Sequence, residues 1–443
     1  MKERTIKIAH DALAASRAPE TEVIVSSSNS ALTRFAGNTI HQNVAEEDTS
    51  VTIRAVDGRR VGVASGNDAS KAALKKLAES ALDIARAQAE IPDFPGLPGR
   101  KSVVEVLAFS KETARLKPTD RAAFAMEIIR PATEAGAGAS GTVSNESGVL
   151  AVANSRGVSI AARRTEFETT AVIEKAGGAG YGAVLAWDHR HADRSRTGRM
   201  ALEKCLASVD AEALDAAEYT VVLEPAAVAG LISYMAYMGF GAQSYLEGRS
   251  FLSGKLGKKV MHESVSIRDD GLSPEGMPMS FDFEGQPKQR VTLIEKGVAA
   301  NVVYDSYYGA RAGVESTGHA LPPGFAGGPL PTNLFMAGGD SSLDEMISTT
   351  GRGLLVTRFH YVNIADPANA VLTGLTRDGT FLIENGRVSR PVKNLRFTES
   401  MTAAFSAVEA LSRERTLVPE MLGGAVVPTV KLSRFRFTGT TEF

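Results

Sequence analysis

Cysteine is almost absent from this chain of 443 residues, in which Cys205 is the single example. One cysteine excludes an intramolecular disulfide, and such low use is typical of a reducing compartment. The opening segment, MKERTIKIAHDALAASR, alternates charged and apolar side chains and contains no apolar core of the kind that signal peptides have. We therefore expect a cytoplasmic protein.

An excess of either charge is also absent. The chain has 49 basic and 51 acidic residues, which gives a formal net charge of -2. This balance creates no overall attraction to nucleic acid or to an anionic membrane surface, so we expect neither as a partner. A length of 443 residues exceeds one ordinary hydrophobic core and predicts two or three domains.

Charge disappears altogether over one long stretch, PAAVAGLISYMAYMGFGAQSYL, between Glu224 and Glu247. About 20 apolar residues can span a bilayer, so a transmembrane helix is one interpretation. Pro225, Gly230 and several other small or polar residues lower the hydrophobicity, however, and neither flank carries a basic cluster. A helix buried in protein, where it could form the wall of an active site, is the preferred interpretation.

Standard catalytic motifs are missing as well: the chain contains no H-E-x-x-H, no C-x-x-C and no G-x-S-x-G. His189 and His191 could form half of a metal site on a strand, but no third ligand is evident nearby, and a loop beside a packed Trp187 is favoured. The run GGAGYG, at 177–182, is followed by a strand-like segment and therefore predicts a flexible turn rather than a phosphate loop.

Two further histidines are candidates for a binding cleft. His319 belongs to a loop rich in glycine and proline, ESTGHALPPGFAGGP, where the main chain can approach a ligand closely. His360 ends an apolar run and is either a core histidine or a second residue of the cleft.

Hydrophobic periodicity predicts an α+β protein in three parts. Residues 1–92 and 93–215 form two α+β modules of helices with mixed or antiparallel strands, which makes a structural repeat possible. Residues 216–443 form a β-rich antiparallel domain with a few helices. In the second module the strands are expected to break at 146–148, and a late helix is predicted over about 399–413.

Read as a whole, the third part resembles the TldD/PmbA family, also called TldD/TldE. The similarity is carried, in this order, by EYTVVLEPAAVAGLISYMAYMGFGAQSYLEGRSFLSGKLGKKV, FDFEGQPKQRVTLIEKGVAANVVYDSYYGARAG, STGHALP, RGLLVTRFHYVN and LTRDGTFLIENGRVSRPVKNLRFTES. It covers nearly all of 216–443, whereas the first two modules fit the family's N-terminal layout more loosely.

This resemblance implies a cytoplasmic metallopeptidase built from two related subunits. In the family, the TldD subunit carries zinc on a helical H-E-x-x-x-H motif, completed by a cysteine near its C-terminus. The TldE or PmbA subunit lacks the zinc site and pairs with TldD to enclose a cleft. The pair is associated with trimming leader segments from modified peptides and with degrading unfolded polypeptides.

The resemblance also places the family's zinc motif on this chain. With the shared Leu246-Glu247-Gly248 as anchor, the first histidine falls on Gly239, the glutamate on Phe240 and the second histidine on Ser244. The last thirty residues contain neither cysteine nor histidine to complete the site. A catalytic zinc needs about three His, Cys or carboxylate ligands, and it lowers the pKa of its bound water to about 7. These positions supply none of those groups.

We therefore expect a TldE/PmbA-like subunit that binds no cofactor itself, holds an extended peptide, and pairs with a TldD-type partner that carries the zinc. Glu247, His319 and His360 are its possible cleft-lining residues. One alternative is a divergent stand-alone hydrolase that uses these three residues. Another is a homodimeric peptide-binding or regulatory protein.

Overall fold

The computed structural model describes residues 1–441 and begins with a region of helices packed on long strands. Its elements in chain order are α1 (Lys2–Ala15), β1 (Glu20–Ala36), β2 (Thr39–Asp57), β3 (Arg60–Gly66), α2 (Lys71–Ala87), α3 (Lys111–Ala114), α4 (Pro118–Glu134), β4 (Gly138–Asn154), β5 (Ser159–Lys175), β6 (Gly178–Ala186) and α5 (Arg194–Ala207).

One antiparallel sheet joins the two N-terminal modules. The strand order is β3-β2-β1-β4-β5-β6, and β1 pairs with β4 at the centre, from Glu22 opposite Asn154 to Phe35 opposite Gly141. Each half contributes a helix, two long strands, one short strand and a second helix. The structural repeat that the sequence made possible is therefore present as two matching halves of a single sheet.

The helices cover one face of this sheet. Alternate residues point to that face, such as Val23 and Val25 against α1 and α2, and Phe167 and Ile173 against α4 and α5. The opposite face carries a smaller apolar cluster that includes Ile24 and contacts the C-terminal domain. The sheet is thus buried between its own helices and the second half of the chain.

The GGAGYG run is part of β6 rather than a flexible turn. A β-carbon on Gly180 would lie 2.0 Å from the carbonyl oxygen of Ala201 in α5, and one on Gly182 would lie 2.1 Å from that of Thr197. Glycine is required here because the helix packs directly on the strand. The turn prediction was therefore wrong beyond Gly177.

The C-terminal domain follows. Its elements are β7 (Glu218–Leu223), α6 (Pro225–Gly239), α7 (Ala242–Leu246), β8 (Ile267–Asp269), β9 (Val291–Glu295), β10 (Val298–Ala299), α8 (Ser306–Ala312), β11 (Asn333–Met336), α9 (Leu343–Ser348), β12 (Arg352–Asp366), β13 (Val371–Glu384), β14 (Arg387–Pro391), β15 (Leu395–Ser400), α10 (Met401–Ser406), β16 (Val408–Glu420) and β17 (Gly423–Thr440).

Five strands of this domain close into a ring. The order β17-β15-β13-β12-β7 returns to its start because β7 also pairs with β17. Because the ring is closed, each of its five strands has a hydrogen-bonded neighbour on both sides. β11, β8, β9 and β10 extend the sheet from β17 on the side that faces the N-terminal region.

The uncharged stretch forms α6 and α7, separated at Phe240 and Gly241. α6 packs against β12, β16 and β17, and most of its side chains belong to the main core of the domain. Within residues 1–441, no helix is both long and apolar enough to cross a membrane. The preferred interpretation, a helix buried in protein, is what the structure shows.

The α+β prediction is confirmed, but two further local predictions were wrong. β4 runs without interruption through 146–148, because each of these residues pairs with both β1 and β5. The late helix is limited to α10, and residues 408–413 instead begin β16, which pairs with β17. In both places pairing with neighbouring strands outweighs the local sequence preference.

Candidate functional site

A cleft of about 1110 Å³ lies between the N-terminal sheet and the C-terminal domain. One wall is the beginning of β5, over 159–166, together with Leu150 of β4. The opposite wall consists of C-terminal loops at 277–283 and 320–321 and the turn at 422–423. Both halves of the chain are needed to form this cavity.

The β5 wall has a free edge because β6 is shorter than β5. β6 pairs with 167–175 and leaves the preceding residues uncovered on that side. There the N–H of Thr165 donates to the carbonyl of Ala108 at 2.8 Å. Main-chain groups alternate in direction along a strand, so Ala161 and Arg163 face the same side as Thr165, and neither has a main-chain partner there within residues 1–441. These groups can pair with an extended ligand.

An irregular segment, residues 103–109, borders the cleft beside this edge. Val103 packs into the apolar cluster between the two domains, and Ala108 accepts the hydrogen bond from β5. Between these two points the side chains of Val104 and Leu107 are exposed. The segment is therefore fixed near both ends and presents apolar groups between them.

The C-terminal side of the cleft covers a group of buried ionisable residues, which we call the charged floor. Each of them is at least nine-tenths buried. Its members are Asp269, Asp282, Glu284, Lys288 and His319. Asp282 and Lys288 line the cleft, and the others lie behind them.

Asp269 and His319 form a fully buried pair within the floor. His319 Nε2 lies 2.9 Å from Asp269 Oδ1, and its Nδ1 lies 2.9 Å from Thr317 Oγ1. Burial lowers the pKa of His319, which favours the neutral ring over the charged one, and a proton on Nε2 would be donated to the Asp269 carboxylate. Burial would raise the pKa of Asp269, but Lys288 and His319 hold it below its usual value. The main-chain N–H of Asn333 satisfies Asp269 Oδ2 at 2.7 Å.

Asp282 is held by the main chain. Its Oδ1 accepts from the N–H groups of Glu284 and Gln286, each at 2.9 Å, and its Oδ2 accepts from Ala320 at 2.9 Å. Three donors fix this carboxylate in one orientation. Asp282 thereby joins the two segments of the cleft wall, at 277–283 and 320–321, through their main chains.

Glu284 connects the floor to the N-terminal sheet. Arg54 Nη2, on β2, lies 3.0 Å from Glu284 Oε1 and 2.8 Å from Glu22 Oε1 on β1. Glu284 Oε2 accepts from the N–H of Ser306, at the start of α8, at 3.0 Å. The two walls of the cleft are therefore tied together by a buried ionic contact.

The α6–α7 junction contains the three positions where the resemblance places the zinc motif. A β-carbon on Gly239 would lie 2.2 Å from the Phe251 ring. The ring of Phe240 packs on Phe251 with centroids 5.6 Å apart, and both are buried. Ser244 donates to the carbonyl of Gly241 at 3.0 Å. Apolar packing fills this junction.

These residues do not fit a zinc ion. The junction provides no imidazole, thiolate or carboxylate, and Phe251 occupies the space that a larger side chain at Gly239 would need. Within residues 1–441, no three His, Cys, Asp or Glu side chains are grouped to hold a metal ion. Cys205 is buried beside β6, with its Sγ 3.7 Å from the carbonyl of Gly178.

The predicted cleft residues Glu247, His319 and His360 lie apart from the cleft and from one another. Glu247 is exposed after α7 and pairs with Arg249, which lowers its pKa. His319 is buried in the floor behind the cleft lining. His360 is on β12 beside Tyr361, with ring centroids 4.3 Å apart. No hydrogen bond or ion pair in the described part of the chain joins any two of the three.

The interpretation of His189 and His191 as loop residues agrees with the structure. They lie in a short 3-10 turn, where His189 packs on Phe167 and His191 packs edge-to-face on Trp187. The Trp187 indole donates to the carbonyl of Pro274 at 3.1 Å.

Sequence reasoning missed the residues that line the cleft, above all Arg163, Lys288 and Thr332. Arg163 lies in an alternating strand that gave no sign of its free edge. Lys288 is indistinguishable in the sequence from an exposed lysine. The segment FDFEGQPKQR, with four acidic or basic residues close to a glycine turn, was the available signal.

Comparisons with known proteins agree with this architecture. Residues 216–439 match the PmbA/TldA metallopeptidase C-terminal domain, and residues 21–85 match domain 1 of the same metallopeptidases. The crystal structure of TldE from Thermococcus kodakarensis has the same fold, with a TM-score of 0.87, 23% identity and coverage of 99% of each chain.

Two sequence relatives differ in the share of this chain to which they align. An uncharacterized protein of Methanocaldococcus jannaschii is 32% identical over 209 residues, which are 46% of this chain and 49% of the relative. This chain thus spans about half of the length of that relative. The metalloprotease PmbA of Escherichia coli O157:H7 is 22% identical over 439 residues, or 95% of this chain and 94% of the relative. The family domain matches just over half of the chain, and the protein therefore belongs to the PmbA/TldD metallopeptidase family.

Proposed function

We propose that this chain is the non-catalytic, TldE-like subunit of a zinc peptidase complex. It pairs with a TldD-type subunit, which supplies the metal and the chemistry, and it contributes a cleft that holds peptide substrates in extended form. Leader segments and unfolded polypeptides are the substrate class that this role implies, and the cytoplasm is its expected location.

The observation that carries the proposal is the packing of the α6–α7 junction. A pseudo-active site that had lost one ligand would retain the surrounding cavity. Here Phe251 lies against Gly239, and Phe240 is buried beside it. Apolar packing at the positions where the resemblance places the zinc motif supports a structural role for this helix.

The free edge of β5 supports the peptide-holding role. Main-chain groups at Ala161 and Arg163 face the cleft without a partner in the described residues. An extended peptide can satisfy them whatever its side chains are, because strand addition uses main-chain hydrogen bonds. Such a mode suits a peptidase that accepts many sequences.

The test is to express this chain alone, and together with the TldD-type chain of the same organism. Zinc content and cleavage of an unfolded peptide would be measured for each sample. We expect zinc and cleavage in the pair, and neither in the chain alone. A control pair in which the partner's motif glutamate is replaced by glutamine should keep its zinc and lose cleavage.

Two results would contradict the proposal. One equivalent of zinc together with cleavage by the chain alone would establish an independent peptidase. A stable self-dimer that never associates with the TldD-type chain would favour the homodimeric binding protein. The stand-alone hydrolase built on His319 and His360 gains no support, because His319 is buried away from the cleft and His360 lies outside its lining.

A further inference from the structure

Lys288 is the one cation of the charged floor, and its side chain ends in the cleft wall. The residue is 5% exposed and lines the cavity together with Thr332. Its Nζ donates to Thr332 Oγ1 at 3.2 Å, and the structure gives it no other hydrogen bond within residues 1–441. An ammonium group has three N–H donors, so two of them remain to be satisfied.

The carboxylates near Lys288 are bound elsewhere. Asp269 accepts from His319 and from the N–H of Asn333. Asp282 accepts from three main-chain N–H groups. Within the described part of the chain, neither forms an ion pair with Lys288 inside 4.0 Å. Asp269 offsets the charge of the ammonium from a distance, whereas burial and the neighbouring Glu284 raise the pKa of Asp282 to about 8. Neither aspartate uses the free donors of Nζ.

A buried ammonium with unused donors favours an anionic ligand. Burial removes water from Nζ and lowers the pKa of Lys288, so the charged form gains from any anion that reaches it. Thr332 positions the ammonium, because its hydroxyl oxygen accepts from Nζ while its own proton goes to Asn333 Oδ1 at 3.2 Å. The cleft gives a ligand access to this position.

We propose that Lys288, with Thr332 beside it, binds a carboxylate group of a peptide that lies in the cleft. This inference rests on the proposed function, since it takes the peptide as the ligand. The free edge of β5 lies on the facing wall, so a peptide paired there can direct one carboxylate across the cleft. The carboxylate belongs either to the peptide's C-terminus or to an aspartate or glutamate side chain.

The primary experiment uses the full chain and an N-acetylated octapeptide, Gly-Ser-Val-Thr-Val-Ser-Ala-Ala, with binding measured by isothermal titration calorimetry. Three forms are compared: a free C-terminus, an amidated C-terminus, and an amidated form with aspartate as its last residue. We expect the free acid or the aspartate form to bind on the order of 10-fold more tightly than the neutral amide, because a charge-assisted hydrogen bond adds to the main-chain pairing. Whichever form is preferred identifies the source of the carboxylate.

Variants then locate the preference. Lys288→Met should bring the charged forms to the affinity of the neutral amide, and Thr332→Val should reduce the preference without removing it. The matched control is Lys258→Met, which removes one charge from an exposed lysine of the same domain and should leave the preference intact. Equal binding of all three forms by the unmodified chain, or an unchanged preference in Lys288→Met, would overturn the inference and leave the peptide-holding role standing.

A second measurement tests the carboxylate site separately from the peptide-holding role and needs no variant. Lys288 would be modified by an amine-reactive reagent and quantified by mass spectrometry, with N-acetylalanine or its amide present. Protection by the acid alone supports the carboxylate site even if no octapeptide binds, in which case the peptide-holding role fails. Equal labelling with both compounds counts against the site.

Discussion

The α6–α7 junction and the charged floor belong to the same domain but differ completely in charge. The junction has no Asp, Glu, Lys, Arg or His from Pro225 to Leu246 and is filled by Phe240 and Phe251. The floor buries five ionisable groups and satisfies most of them with main-chain donors or with one another. In this chain, therefore, the buried ionisable side chains lie behind the interdomain cleft. None lies at the α6–α7 junction, where the resemblance places the zinc motif.

The largest expected effect comes from the ionic contact that joins the floor to the N-terminal sheet. Arg54→Met leaves Glu22 and Glu284 buried without their cation, and it should lower the free energy of unfolding by about 3–5 kcal/mol in urea titrations. The exposed Arg59→Met is the control. Adding Glu22→Gln to the variant should restore part of the loss, whereas a cost equal to that of the control would show that the contact contributes little.

A smaller loss is expected inside the floor. His319→Ala leaves Asp269 Oδ1 without its donor and opens a cavity, which together should cost about 2–4 kcal/mol in the same titrations. His360→Ala, outside the floor, should cost far less. If the chain has peptidase activity of its own, loss of turnover in His319→Ala at unchanged stability would instead favour the hydrolase alternative.

The junction can be tested by adding a single methyl group. Gly239→Ala places a β-carbon against the Phe251 ring, and such overpacking typically costs about 1–3 kcal/mol. Combining it with Phe251→Leu should recover stability, because the smaller side chain makes room. A neutral Gly239→Ala would indicate that the junction has spare volume and could accept a larger residue.

The smallest effect depends on pH and concerns Glu420, an acid that lies beside the uncharged helix. Burial raises its pKa to about 7, against an opposing hydrogen bond from Ser233. The folded state therefore holds a proton that the unfolded state releases near pH 4.5, so the contribution to stability is complete below pH 4.5 and is lost as pH rises through about 7. Glu420→Gln should remove this slope and stabilise the protein at pH 8 by about 1–2 kcal/mol. An unchanged slope would assign the titration to another group.

The sequence contained enough information to predict the fold class and the buried helix. Alternation of apolar residues over 51–56 marks a strand with one covered face, and the apolar run at 23–25 marks a strand covered on both faces. The uncharged run from Pro225 marks a helix inside a core. These signals are local, so a single sequence can reveal them.

The charged floor could not be predicted because its parts are distant in the chain. Asp269 and His319 are 50 residues apart, on β8 and in the irregular segment before β11, and they meet only in the folded chain. The free edge of β5 depends on where β6 ends, at Ala186 opposite Phe167. Helix α10 is also shorter than predicted because of a distant partner. The residues after Ser406 pair with β17 and form β16 instead of continuing the helix.

The position of β17 has a consequence for synthesis of the protein. This strand pairs with β7, β11, β15 and β16, so the ring remains open until residues 423–440 have been translated. The N-terminal sheet and the helices that cover it are complete at α5, so they can form long before. Pairings between segments far apart in sequence form slowly and expose unpaired strands meanwhile. The nascent chain therefore carries α6, its most apolar helix, without the strands that cover it until translation is almost complete.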